Sequence, residues 1–204
     1  MPKQRNVVPV KRALASLADV QMGYPFRSRL EPDPKGDVAV IQMKDIDDTN
    51  LLRTDAAIKL SLPDLKEHHL LRPGDLLFRS RGRSNGAAEV RGGIGRAVLA
   101  GPMLRIRPRR VLPAYLCWYL NLPGTQAQLG ALSEGTSVRM ISVESLKSLP
   151  IPLPLPEAQA RIAKTAALVD QEQALLAQIA GLRQRLTIDL LMKAAQESTE
   201  RLSP

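Results

Sequence analysis

SLPIPLPLPEAQARI, residues 148–162, decides how this chain is divided. Pro150, Pro152, Pro154 and Pro156 stand at alternate positions. Each fixes φ near −65° and lacks a backbone donor, so the stretch cannot be helical and must run as an extended strut. From Glu157 the pattern turns helical for about forty residues. Leu168, Leu175, Ile179, Leu182, Leu186 and Leu190 follow at intervals of 7, 4, 3, 4 and 4, close to a coiled-coil seam, with Glu172 on the empty seam position. Such a helix would be about 60 Å long. So narrow an apolar stripe calls for a partner helix, from the same chain, a second copy or another protein. The competing reading is a helix packed flat on its own domain. Gly181 weakens the helix by about 1 kcal/mol but permits close helix approach. Two parts are therefore expected: residues 1–150 as a folded domain, and residues 151–204 as strut and long helix.

The 204 residues suit one core of ordinary size plus an appendage. Aromatic residues make up only 3%, so aliphatic side chains must build that core. No run of about 18 apolar residues is present, and MPKQRNVVPVKR at the start has no apolar signal core. No membrane span and a cytoplasmic location are expected. Cys117 is the one cysteine, set in the apolar run VLPAYLCWYL. It excludes an intrachain disulfide framework and fits a reducing compartment, and it reads as a small core residue rather than a nucleophile.

The formal net charge is +9. Residues 157–204 hold six acids and six Lys/Arg, so the whole excess lies before the helix. Between Arg79 and Arg110 there are nine arginines and one acid, Glu89. This balance points to an anionic partner such as nucleic acid or a membrane surface. Arginine suits bidentate recognition of phosphate or guanine. A solvated basic face that only keeps the protein soluble is the alternative.

Along the first part, residues 7–20 read as extended and then helical, and DVAVIQMKDI (37–46) as an alternating strand. Residues 60–71 contain Pro63 as a helix-starting residue followed by the short helix DLKEHHLL. RPGD (72–75) is a turn, LLF (76–78) a buried strand, and 80–95 a polar, glycine-rich surface loop. Residues 97–108 form two strands turning at Gly101–Pro102, and 112–120 an apolar helix closing at Asn121-Leu-Pro-Gly. SEGTSVRM (133–140) is a second polar loop, followed by Ser142 as an N-cap.

Catalytic signals are weak. GGIGRA (92–97) lacks the spacing of a dinucleotide-binding turn. Asp45, Asp47 and Asp48 are candidates for a divalent metal of phosphodiester chemistry, but no partner stands at a recognisable spacing, and a polar turn is favoured. His68 and His69 on a helix would point about 100° apart and would not chelate one ion. No Asn-Pro-Pro-Tyr tetrapeptide is present, so the chain does not look like a methyltransferase.

Five blocks then match in order: LADVQMGYPFRS (17–28), VAVIQMKDID (38–47), LRPGDLLFRSRG (71–82), YLCWYLNLPGTQ (115–126) and EGTSVRMISVESLKSLPIPLPLPEAQARI (134–162). On these the chain resembles the specificity subunit of type I restriction-modification enzymes. Two departures stand out. The exit from the strut usually carries Glu-Gln, whereas here it is Glu157-Ala158-Gln159. A standard subunit also has two target recognition domains and two helices, whereas this chain has one of each and resembles a half-subunit.

The resemblance implies an α+β target recognition domain of irregular curved sheet, followed by a long helix that forms an antiparallel coiled coil. It implies a non-catalytic subunit that reads half of a split duplex DNA site and holds no cofactor of its own. Methyltransferase (modification) subunits would dock on it, bring S-adenosylmethionine and flip the target adenine; a restriction subunit is a further possible partner. A second copy, paired through Leu168, Leu175, Ile179, Leu182, Leu186 and Leu190, would rebuild a full subunit and read an interrupted palindrome.

For DNA contact the first candidates are Arg79, Arg81, Arg83, Ser84, Asn85 and Arg91, since arginine can read guanine and asparagine adenine in the major groove. Gln42, Lys44, Thr136 and Arg139 come second. Two readings of other classes stand beside this one. One is a metal-dependent nuclease built on the aspartates near Asp45; the other is an adaptor or decoy that binds a methyltransferase through its helix without reading DNA.

Overall fold

The computed structural model describes residues 10–26, 29–82, 85–133 and 140–200, with side chains to residue 196. The fold is α+β. Strand β1 (Lys11–Ala13) pairs antiparallel with β9 (Pro150–Pro152), in the register Arg12↔Ile151. A strand with two prolines can serve only at an edge, and this ribbon has just two strands. Leu14 N–H donates to Leu149 O (2.9 Å) and Leu153 N–H to Val10 O (3.0 Å), so the strut fastens the end of the domain to its beginning.

The larger sheet has the order β2-β8-β5-β6, all antiparallel, from Ala18–Met22, Leu104–Pro108, Leu76–Phe78 and Ala87–Glu89. The smaller has the order β4-β3-β7, from Ile58–Leu60, Val38–Ile41 and Ala97–Leu99, with β3 and β7 parallel. All four residues of β3 are buried, because both faces of that sheet are covered. Ile41, Leu71, Leu77, Val90, Leu99 and Met103 fill one side. Val38, Val40, Val98 and Ala100 pack under Tyr24, Phe26, Leu60 and Leu65 on the other.

Two stretches expected to be helical are not. Residues 14–20 make a short 3-10 turn, Leu14–Ser16, and then enter β2, which pairs with β8 over its whole length. Residues 64–71 hold only the 3-10 turn Glu67–His69. There Leu71 N–H bonds Ala97 O (2.8 Å) and Leu70 bridges Val98. Pairing with a distant strand overrides weak local helix propensity in so short a segment.

Helix α1 (Pro113–Asn121) ends where expected, but Pro123 then opens a second helix, α2 (Pro123–Ala131), as its first residue. Ser142 does cap α3 (Val143–Ser148), accepting the Ser145 N–H at 3.1 Å. Cys117 is partly exposed rather than buried, with its thiol toward Ala87 O at 3.4 Å. Helix α4 runs from Pro156 to Glu200. Its Gln159 is 3% exposed. The Gln159 amide accepts the Leu112 N–H (2.9 Å) and donates to Pro154 O (2.8 Å), which ties the first turn of α4 to the domain. The chain divides into two compact units, Met1–Arg161 and Ile162–Pro204, so the strut belongs with the first. Among the described residues no helix is long and apolar enough to cross a membrane.

Candidate nucleic-acid interface

Strands β5 and β6 form a hairpin whose connection is residues 79–86. Its mouth is closed by Arg79 N–H donating to Gly86 O (3.0 Å) and Asn85 Nδ2 donating to Arg79 O (3.0 Å). The helices brace it from behind. Asn121 accepts the Ala87 N–H (2.9 Å) and donates to Ala87 O (2.8 Å), and Gln126 Nε2 donates to Asn85 O (3.0 Å). The Asn85 amide is therefore partly committed to holding the loop. Gly82, at φ 111°, takes a left-handed turn that favours glycine, and Arg81 beside it is exposed.

Two other segments meet this loop. The turn after β3, Met43–Asp45, comes close enough that a side chain on Gly82 would touch Met43 Sδ (3.9 Å). Lys44 is exposed on that turn. Asp45 N–H donates to Gln42 O (3.0 Å) on the same turn, while Asp45 Oδ2 accepts the Gln42 N–H (2.7 Å). The Gln42 Nε2 is buried without a partner. On the third side Arg81 bridges Met140, and Ile141 N–H donates to Ser80 O (2.8 Å). Arg83, Ser84, Thr136 and Arg139 lie outside the described residues.

Arg91 does not join them. The register Leu76↔Glu89, Phe78↔Ala87 puts it at the opposite end of the hairpin from Arg79. Five residue steps separate Gly86, opposite Arg79, from Arg91, about 17 Å if extended. Arg91 sits beside Glu89, whose carboxyl is raised by burial and lowered by Arg91.

The arginine cluster of 79–110 is also not one surface. Arg107 makes a two-pronged ion pair with Asp75, Nε–Oδ1 and Nη2–Oδ2 both at 2.7 Å, and Asp75 is 1% exposed. Arg105 is 5% exposed and donates to His68 O and to Gln21 Oε1 (2.7 Å). Arg96 pairs with Asp37, and Arg109 with Asp19 (2.9 Å). Arg105 and Arg107 are thereby committed to the fold, whereas the Arg96 and Arg109 pairs are half-exposed and contribute little to it.

The aspartates are likewise occupied. Asp45 is 4% exposed in its cap. Asp47 Oδ1 accepts from Thr49 N–H (2.9 Å), Thr49 Oγ1 (2.6 Å) and Leu51 N–H (2.9 Å), and Oδ2 from Arg53 Nε (3.0 Å). Burial raises this carboxyl, but the hydrogen bonds outweigh it and bring its pKa to about 2. Among the described residues no group of three or more His, Cys, Asp or Glu can hold a metal ion, so the nuclease reading finds no site at Asp45–Asp48. The rings of His68 and His69, on the 3-10 turn, lie with centroids 4.1 Å apart rather than diverging.

Sequence reading missed Asn50, whose side-chain oxygen accepts from Arg79 Nη2. Asn50 has φ 59°, the one positive value at a non-glycine residue among those described. Asparagine next to a Asp-Asp-Thr turn was the available signal.

Among solved structures, the HsdS subunit from Thermoanaerobacter tengcongensis matches at TM-score 0.62 and 22% identity, over 86% of this chain and 41% of that one. A chain from a structure of complex assembly and conformational transition in a type I R-M system matches at TM-score 0.61 and 21% identity, over 86% and 42%. The type-I restriction-modification S subunit from M. genitalium matches at 0.56 and 19%, over 87% and 43%. These likenesses show the fold: curved sheets followed by a long helix. The chain spans about two fifths of the length of those structures. No curated protein matches it. The model of the type I restriction modification DNA specificity domain matches residues 9–180, and the chain belongs to that family.

Proposed function

We propose that this chain is a DNA-reading specificity component of a type I restriction-modification methyltransferase complex. It performs no chemistry itself; a partner methyltransferase subunit brings S-adenosylmethionine and flips the adenine. Its place is the cytoplasm, with duplex DNA, and a restriction subunit can join the same assembly. The observation that carries this reading is the convergence, within a family-matched domain, of exposed Arg81 and Lys44 on two adjoining turns beside Met140. These cations supply the sequence-independent attraction to phosphates. Arg83, Ser84, Thr136 and Arg139 are proposed to contact DNA on chemical grounds, Asn85 and Gln42 to support the Arg81 surface, and Arg91 to contact the backbone at most. Methylation sequencing of the source genome with and without this chain tests the reading. Loss of one methylated motif is expected, and an unchanged methylome would contradict it.

The second copy belongs to the same proposal. Leu168, Leu175, Ile179, Leu182, Leu186 and Leu190 are 46–60% exposed on α4. Because each is already about half covered by its own helix, burying the rest would contribute roughly half of the 1.5–3 kcal/mol of a fully exposed side chain. Two copies packed antiparallel along this face would place two identical domains about a two-fold axis, and the lost motif should then be an interrupted palindrome. An asymmetric motif would instead favour pairing with a different recognition domain.

A further inference from the structure

We propose that Arg79 reads a base edge in the major groove, and that Asn50 and Gly86 are positioning residues that aim its guanidinium; the inference rests on the DNA-reading function above. Arg79 differs from its neighbour Arg81 in how firmly it is set. Its N–H and C=O are both bonded across the loop, to Gly86 O and Asn85 Nδ2. Its Nη2 donates to Asn50 Oδ1, and its Nε is buried without a partner. Arg81 is exposed, and no hydrogen bond of its side chain occurs among the described residues.

The acceptor is itself held. Asn50 stands in a left-handed conformation that asparagine tolerates better than most residues. Its N–H donates to Asp47 O (3.0 Å), inside the turn that Asp47 ties together. Gly86 makes room for the pair. Its backbone is not left-handed, so space is the reason for glycine there. A Cβ at Gly86 would collide with the Asn50 amide and lie 2.9 Å from Arg79 Nη2. Asn50 thus holds the guanidinium, and Gly86 leaves the space in which the pair sits.

A phosphate contact needs only charge and tolerates a mobile side chain. Reading guanine O6 and N7 needs a planar fork aimed in one direction. With Nε buried and one Nη2 hydrogen used by Asn50, the end of the guanidinium, Nη1 and the second Nη2 hydrogen, is the fork left for a ligand.

The test is selection by the full chain from a pool of duplexes randomised over about one helical turn, with sequencing of the bound fraction. Discrimination at each position is a ratio, so a uniform loss of affinity or of folded protein does not move it. The wild type should enrich a motif with one guanine position that Arg79→Lys, which keeps the charge and loses the fork, relaxes about tenfold or more. Asn50→Gly, which suits the same backbone, should relax that same position. Asn50→Asp, which keeps the Oδ1 acceptor, should retain it even if total affinity falls. Full discrimination in Arg79→Lys, or relaxation by Asn50→Gly at no position or at all positions equally, would overturn the inference while leaving DNA reading intact. If Asn50→Gly does not fold, Arg79→Lys and Asn50→Asp decide. A wild type that enriches nothing would overturn the DNA-reading function itself, and this inference with it.

Discussion

Arg105 in β8 is 5% exposed, whereas Leu182 in α4 is 59% exposed. The recognition domain keeps several of its charges inside, and the long helix carries its leucines outside. In the domain two arginines are bound inside to the chain's own groups: Arg107 to Asp75, and Arg105 to Gln21 and His68 O. In α4 the seam leucines and Ile179 are 46–60% exposed. The contrast teaches that a charge excess overstates the surface offered to an anion, because part of it is spent on folding. The exposed apolar stripe of the helix, in turn, is the surface that the proposed pairing would cover.

The largest effect should come from reversing the first half of that contrast. Asp75→Ala leaves Arg107 as an unpaired, largely buried charge and should cost about 3–5 kcal/mol, read from the denaturant midpoint. A change under about 1 kcal/mol would mean that Arg107 is not a structural cation. Next comes the helix. Ile179→Asp/Leu182→Asp should weaken self-association by about 100-fold or more, from roughly half of 1.5–3 kcal/mol per lost apolar side chain, two from each copy, while the domain unfolds as before. Sedimentation of both proteins reads this; a wild type that stays monomeric at tens of micromolar would remove the homodimer.

A smaller effect separates the two kinds of carboxylate. Asp47 has its pKa lowered to about 2 in the fold, below the ordinary 3.8. A depressed carboxylate stabilises the fold above the unfolded pKa, and that stabilisation is lost as pH falls through the folded value. The stability gap between the wild type and Asp47→Asn should therefore be present at pH 7 and shrink from about pH 4 toward pH 2. A gap independent of pH would mean that the Asp47 charge is not what holds the Asn50 turn.

What could be read from sequence followed from how local its cause was. The strut and α4 were evident because proline fixes φ residue by residue and the seam repeats along one helix. Residues 14–20 and 64–71 were misread because β8 and Ala97, their partners, lie far along the chain. The glycine-rich loop with Arg81 was evident from composition. Its separation from Arg91 depends on the β5–β6 register, which alternation in three-residue strands cannot supply. The commitment of Arg107 to Asp75, 32 residues away, and of Arg79 to Asn50, 29 residues away, leaves no local trace at all.

The division of the arginines into folding and DNA-facing groups is tested most directly by the salt dependence of duplex binding. The full chain and Arg81→Ala would be titrated against one duplex pool by fluorescence anisotropy across a salt series, with both proteins verified as folded. Four neutralised phosphates would give the wild type a log–log slope of about −4, and removing Arg81 should make it shallower by about one. A flat wild-type response, or a slope unchanged in Arg81→Ala, would contradict the account.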